Sequence, residues 1–255
     1  MSEKFAHPGC YARVLSDCSR KISHEHYVSA AVMDLLGDEH RITNASWLPR
    51  GQQSAALPSS ALPPNILCEH HNRALSPLDA HAKAFFSEIL WGLSDSPPRE
   101  TRRRVALGGD QLELWLLKAC CGALASGNLV EQRRAVPRQI PDVWVSLLFA
   151  GRPWEPGAGL HIRQTTLNPY RGYAIGPVYV GESCAGGEIE FAGIEMFVFP
   201  CSGAEKRILE ESSGEMKPLI HRPGQIRIES RARMLEITLQ WRTWVPTEGV
   251  SYRWS

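Results

Sequence analysis

The chain has 255 residues, with 28 Lys and Arg against 27 Asp and Glu, for a formal net charge of +1. Near-neutrality excludes a protein that coats nucleic acid with bulk positive charge, while leaving room for a local basic surface. Hydrophobic residues make up 43 %, with 18 Pro and 21 Gly, which excludes wholesale disorder, collagen and a coiled coil and leaves ample chain for a core.

The N-terminus MSEKFAHPGC carries no apolar signal region. The longest apolar stretch, Leu112–Ala125, contains Lys118 and is too short to span a bilayer. We therefore expect a cytoplasmic protein with no membrane association. Its seven Cys are then thiols or metal ligands rather than disulfides. Seven of the nine His fall within residues 1–92, beside Cys10, Cys18 and Cys68, so metal or acid–base chemistry is concentrated there.

In chain order, three parts emerge. Residues 1–93 are rich in Cys and His, include a Ser/Ala/Pro-rich stretch near 53–64, and end in a helical pattern. Ser76-Pro77-Leu78-Asp79 suggests an N-cap, a first-turn proline and a dipole-complementing acid. Leu78, Ala82, Phe85, Phe86, Ile89 and Leu90 then follow at helical spacing to Gly92. Residues 94–140 form a helical connector, with the breaker Ser94-Asp95-Ser96-Pro97-Pro98, the run Arg102-Arg103-Arg104 and a second helix near Asp110–Ser126, stopped by Gly127. Residues 141–255 suggest an antiparallel β-rich domain with strands at Val143–Phe149, Tyr173–Tyr179, Gly187–Phe191, Glu195–Phe199, Gln225–Ile228 and Met234–Gln240. The expected class is α+β.

Zinc prefers four soft or borderline ligands, often given as two close pairs from two chain segments. Cys10 and Cys18 form one pair. Cys68 with His71 forms the other, and His70 is the alternative fourth ligand. Four protein ligands leave no open position, so this Zn²⁺ would be structural.

Around these pairs stand Glu25-His26-Tyr27-Val28, then Asn65-Ile66-Leu67-Cys68, then His71-Asn72-Arg73. In this order the sequence resembles the HNH endonuclease superfamily, the ββα-metal nucleases. Cys10, Asp17-Cys18, Ile22-Ser23 and Leu75-Ser76-Pro77-Leu78-Asp79 narrow the resemblance to a subgroup of bacterial HNH proteins of similar size, over about residues 8–92. It implies a first strand at Glu25–Val28, a second at Asn65–Cys68 and a helix opening at Cys68. Two departures stand out: a long insertion between His26 and Asn65, and Asn72 where the closing His of the triplet would stand.

The resemblance implies cleavage of DNA, or of RNA. Phosphodiester hydrolysis needs an activated water and a cation to absorb charge on the phosphate and the leaving oxygen. Histidine titrates near neutrality, so His26 can be the general base. Glu25 and Asn72 offer oxygen ligands for Mg²⁺ or Mn²⁺, and Asn65 would orient His26. Each of these alone is an ordinary residue; a lone His26 is a satisfied histidine at a strand end. Their joint order around a zinc-like frame carries the reading. His24 and His81 are secondary candidates.

Arg73, beside Asn72, is the best placed phosphate contact. Arg102, Arg103 and Arg104 would add a basic flank. The β-rich part would recognise substrate or a protein partner, and the resemblance suits bacterial defence against foreign DNA. The competing expectation is a non-catalytic zinc module that binds nucleic acid or acts as an adaptor.

Overall fold

The computed structural model describes residues 4–24, 26–37, 39–43, 54–58, 65–94, 100–127, 130–131, 134–135, 140–165, 172–181, 183–204 and 218–254. The protein is mixed α+β and divides into two compact units. One comprises Met1–Ala80 with Leu117–Pro153, the other His81–Leu116 with Trp154–Ser255. Two of these boundaries run through long helices, and the third falls between Pro153 and Trp154.

The first unit contains α1 (Ala30–Met33), the antiparallel pair β1 (Glu39–Thr43) and β2 (Ser54–Pro58), and the start of α2 (Glu69–Gly92). Of the expected strand at 25–28, Glu25 lies outside the described residues and residues 26–28 form no strand; α1 begins two residues later. Residues 21–23 pair with 67–69 instead. Ile22 bridges Cys68 antiparallel, Ser23 N–H donates to Leu67 O at 2.8 Å, and Glu69 N–H to Lys21 O at 2.9 Å.

That pairing explains why α2 starts seven residues before Ser76. Helix N-termini leave N–H groups without intrahelical acceptors. Here Lys21 O takes the Glu69 N–H, and Ser19 Oγ takes the His70 N–H at 3.2 Å. Acceptors from another segment replace the local cap. Ser76 is therefore inside the helix, its hydroxyl donating back to Asn72 O at 3.1 Å, and Pro77 is an interior residue.

The second long helix, α3, spans Gly109–Ser126, preceded by β3 (Arg102–Gly108). Gly127 at φ +66 ends it in the left-handed region. In the first unit Lys118 Nζ is buried and holds both oxygens of Asp79 at 2.7 Å, as a buried charge requires. A Cβ on Gly122 would overlap Tyr27, so glycine lets the Tyr27 segment approach α3 closely. A short antiparallel pair follows, β4 (Val130–Glu131) with β5 (Arg134–Ala135). Then comes α4 (Asp142–Phe149), where a strand was expected. Trp144, Val145 and Leu147 are buried at helical spacing, and the Pro141-Asp142 start outweighs the β propensity of the Val and Trp residues.

The second unit holds two sheets. The first is fully antiparallel, ordered β10 (Leu219–His221), β6 (Gly159–Arg163), β9 (Ile194–Phe199), β8 (Ser183–Phe191) and β7 (Tyr173–Val180). The other is mixed. β11 (Gln225–Glu229) and β12 (Met234–Gln240) form an antiparallel hairpin, flanked in parallel by β13 (Gly249–Arg253) and by β3. The purely antiparallel expectation fails in this sheet, because neither β3, from far upstream, nor β13, added beside β11 after β12, joins its neighbour through a hairpin.

A buried ion pair ties α3 to the first of these sheets. Glu113 is fully buried and accepts from Leu160 N–H at 2.7 Å and from Arg222 Nε and a terminal nitrogen at 2.9 and 2.8 Å. Arg222 has φ +40, a backbone region costly for a side chain, and Trp154 and Trp241 lie over its guanidinium. Gly159, at φ +118, leaves the space: a Cβ there would overlap Glu113 Oε2. We expect Gly159→Ala to lower the unfolding free energy by on the order of 3 kcal/mol through backbone strain and displacement of the pair. Urea denaturation measures this, and a variant matching wild type overturns the account.

On the same sheet burial, reinforced by Glu195, pushes the Glu188 carboxyl up to about 7. Native Glu188 thus retains a proton that the unfolded chain releases from about pH 4.5 upward. Its contribution to stability falls as pH rises through that window. Glu188→Gln should therefore gain stability relative to wild type between pH 4.5 and 7. A variant-to-wild-type difference that stays flat in urea melts across that range contradicts this.

Candidate metal centre

Three chain segments converge in the first unit. The turn before Cys10 is closed by the Cys10 N–H to His7 O bond at 3.0 Å, and Gly9 N–H donates to His7 Nδ1 at 3.1 Å. Residues 16–18 follow, held to Phe5 by Phe5 N–H to Ser16 O at 3.0 Å and Cys18 N–H to Phe5 O at 2.9 Å. The third segment is the Cys68 bridge and the first turn of α2, which delivers His71 three residues on.

Cys10, Cys18, Cys68 and His71 are all buried, and their ligand atoms lie within 4.8 Å of one another. His71 Nδ1 is 3.5 Å from Cys10 Sγ, 3.8 Å from Cys18 Sγ and 3.1 Å from Cys68 Sγ. In a tetrahedral site with zinc–sulfur near ~2.3 Å and zinc–nitrogen near ~2.0 Å, sulfur and nitrogen stand about 3.5 Å apart. The three separations bracket that value. The cluster can hold a metal such as zinc.

The electrostatics point the same way. Burial pushes the Cys10 thiol up to about 12 and raises Cys18 as well. Cys68 is also pushed up by burial, but N–H groups of His71 and Ser19 and the Ser19 side chain outweigh this and hold it below the ordinary thiol range. Burial lowers His71, favouring the neutral ring that ligates metal. Three thiols in one buried pocket ionise together only beside a cation, and a divalent ion supplies that charge.

The histidine that meets the three thiols is His71 rather than His70. His70 is 56 % exposed in its side chain, with its ring 5.1 Å from that of His71 and its Nε2 3.8 Å from Asp17 Oδ2. Phe149 of α4 packs edge-on against the His71 ring at 4.8 Å and closes one side of the cluster.

The other expected site residues fall on the segments around residues 24–26 and 65–81. His26 is half-buried in the bend before α1, and His24 is exposed. Glu25 lies outside the described residues. Asn65 is exposed, immediately before the buried Ile66. Asn72 is half-buried on the first turn of α2. Its Oδ1 is shut off from solvent, and no hydrogen-bond donor reaches it among the described residues. Arg73 is exposed beside it. His81 Nε2 lies 2.9 Å from Gly108 O in the second unit, a structural contact.

The arginine run also belongs to the second unit, on β3. Arg103 pairs with Glu88 at 3.2 Å and Glu100 at 3.3 Å and lies over the Trp91 ring at 4.2 Å. Arg104 pairs with Glu236 at 2.6 Å, while Arg102 is exposed. Carboxylates from α2 and β12 neutralise most of this run, a pairing the linear charge count did not reveal. Asp17 carries no assigned role in the sequence reading, although it directly precedes Cys18; its Oδ1 lies 2.9 Å from His71 Nε2.

No helix is long and apolar enough to cross a membrane, among the described residues. No protein-family profile, curated protein or solved structure matches the chain. The metal ligands are tested by titration with cobalt(II) and zinc. We expect one equivalent bound by the wild type, loss of tight binding in His71→Ala, and an affinity within about threefold of wild type in His70→Ala. A large loss in His70→Ala instead would reverse the ligand assignment.

Proposed function

We propose that this chain is a metal-dependent endonuclease of the HNH type that hydrolyses phosphodiester bonds of DNA, with a structural zinc at Cys10, Cys18, Cys68 and His71. The observation that carries the reading is Asn72. It stands one residue after the metal ligand His71, and its buried side-chain oxygen has no donor among the described residues. A buried carbonyl oxygen without a partner costs free energy, and a hard cation satisfies it. Further support comes from local topology. The antiparallel contact of residues 21–23 with 67–69 leads straight into α2, which places a short backbone pairing and a helix start beside the Cys/His cluster.

Asn72 would hold a Mg²⁺ or Mn²⁺ ion together with Glu25. When bound, that ion supplies positive charge at the phosphate and the leaving 3′ oxygen. His26 would take the proton of the attacking water, and Asn65 would orient His26. Arg73 would contact the phosphate from the exposed side of the same helical turn. The β-rich part of the chain would recognise the nucleic acid or a protein partner.

A second reading keeps the zinc module without turnover, as a nucleic-acid-binding or adaptor protein. One observation favours it: the charges of Arg103 and Arg104 are taken up by Glu88, Glu100 and Glu236, which reduces the basic surface available to a duplex. Plasmid cleavage separates the two. Wild type should cut supercoiled DNA with Mg²⁺ or Mn²⁺ and stop on chelation. His26→Ala should be slower by on the order of 10²–10⁴-fold, as for loss of a general base. Equal cutting by both proteins removes His26 from the mechanism. Binding without cutting across divalent ions selects the second reading.

A further inference from the structure

We propose that Asp17 is the outer carboxylate of the metal centre, fixing the His71 ring so that Nδ1 faces the three thiolates. The inference rests on Cys10, Cys18, Cys68 and His71 binding metal, and it adds a positioning residue outside that ligand set.

An imidazole presents two different nitrogens, and what one binds decides what the other carries. His71 Nδ1 is turned to Cys10, Cys18 and Cys68. With Nδ1 committed to a metal, the ring proton must sit on Nε2. That atom is shut off from solvent, and among the described residues Asp17 Oδ1, at 2.9 Å, is the group that approaches it. The separation is within hydrogen-bond range, with the carboxylate off the N–H axis. Asp17 is 56 % exposed, so its side chain has room to align once the proton is fixed. A buried N–H left without an acceptor would cost free energy, and a carboxylate acceptor also makes the opposite nitrogen a better donor to metal.

The chain geometry makes the contact local to the site. Asp17 is bonded directly to the ligand residue Cys18, and the same short segment is tied down by Cys18 N–H to Phe5 O at 2.9 Å and Ser16 N–H to Arg13 O at 3.0 Å. One segment thus supplies a thiolate to the metal and a carboxylate to the far side of its histidine. Phe149 packs edge-on against that ring, so packing and the carboxylate constrain its orientation together. Three thiolates against one divalent ion already leave a net charge of −1. A further carboxylate is useful there as a hydrogen-bond acceptor behind the ring, not as a fifth ligand.

The test uses the full chain, with cobalt(II) as the spectroscopic probe and zinc affinity read by chelator competition. Wild type should bind one cobalt with thiolate charge-transfer bands and tetrahedral visible bands. Asp17→Ala should show the same bands, since no ligand is lost, with its dissociation constant raised on the order of 10–100-fold. Asp17→Asn should fall between the two, because its carbonyl oxygen still accepts the Nε2 proton. An Asp17→Ala affinity within about threefold of wild type overturns the assignment. Loss of the tetrahedral bands in that variant also overturns it, by making Asp17 a direct ligand. If Asp17→Ala does not fold, Asp17→Asn decides: wild-type affinity together with wild-type affinity in a charge-free, non-accepting Asp17→Leu overturns the assignment. If the wild type takes up neither metal, the metal centre itself falls, and Asp17 with it.

Discussion

The first unit depends on closing four ligand atoms from three segments onto one point. Cys10 and His71 are 61 positions apart, and Cys18 and His71 are 53 apart, yet their side-chain atoms meet at 3.5 and 3.8 Å. Bringing such distant segments together costs loop-closure entropy, which a metal bound there would offset far more strongly than packing of a few small side chains. The same closure sets the local backbone. It lays residues 21–23 beside 67–69, supplies acceptors for the first N–H groups of α2, and thereby places His71 and Asn72 on the opening turn of that helix.

A different constraint organises the second unit. Glu113 is buried with three hydrogen bonds, two of them from one guanidinium. A buried carboxylate is tolerated only when paired in this way, and removing either partner leaves a stranded charge. The strained backbone of Arg222 and the positive φ of Gly159 are both consequences of bringing the pair together. Burial still raises the Glu113 carboxyl above its ordinary range despite Arg222, so the pair specifies an arrangement rather than adding a large surplus of stability.

The chemistry proposed for the molecule rests on the first unit. A structural metal would hold the turn that carries Asn72, whose buried oxygen meets no donor among the described residues. The basic run of β3 plays another part. Arg103 joins Glu88 and Trp91 in the packing of the second unit, and Arg104 pairs with Glu236 at the surface. Positive charge near a phosphate would then come mainly from bound ions and Arg73. This accords with a chain whose side chains are nearly balanced at +1.

The sequence by itself determined the mixed α+β class, the span of α3, most strands of the second unit and the three cysteines of the candidate metal cluster. These are carried by local periodicity and by residue chemistry at short spacing, as in Cys68 and His71. Only the tertiary structure decided between His70 and His71, because neighbouring helical residues differ in direction and not in composition. It also decided the start of α2, since the capping acceptors come from Ser19 and Lys21, some fifty positions upstream by the 51-residue separation of Ser19 and His70. The helical state of Asp142–Phe149 was hidden for a similar reason: Val and Trp favour strands locally, while burial of Trp144, Val145 and Leu147 selects a helix. Pairing of Arg103 and Arg104 with distant carboxylates, and of Asp17 with His71, belongs to the same category. Such contacts depend on which segments meet in space, and no single stretch of chain encodes that.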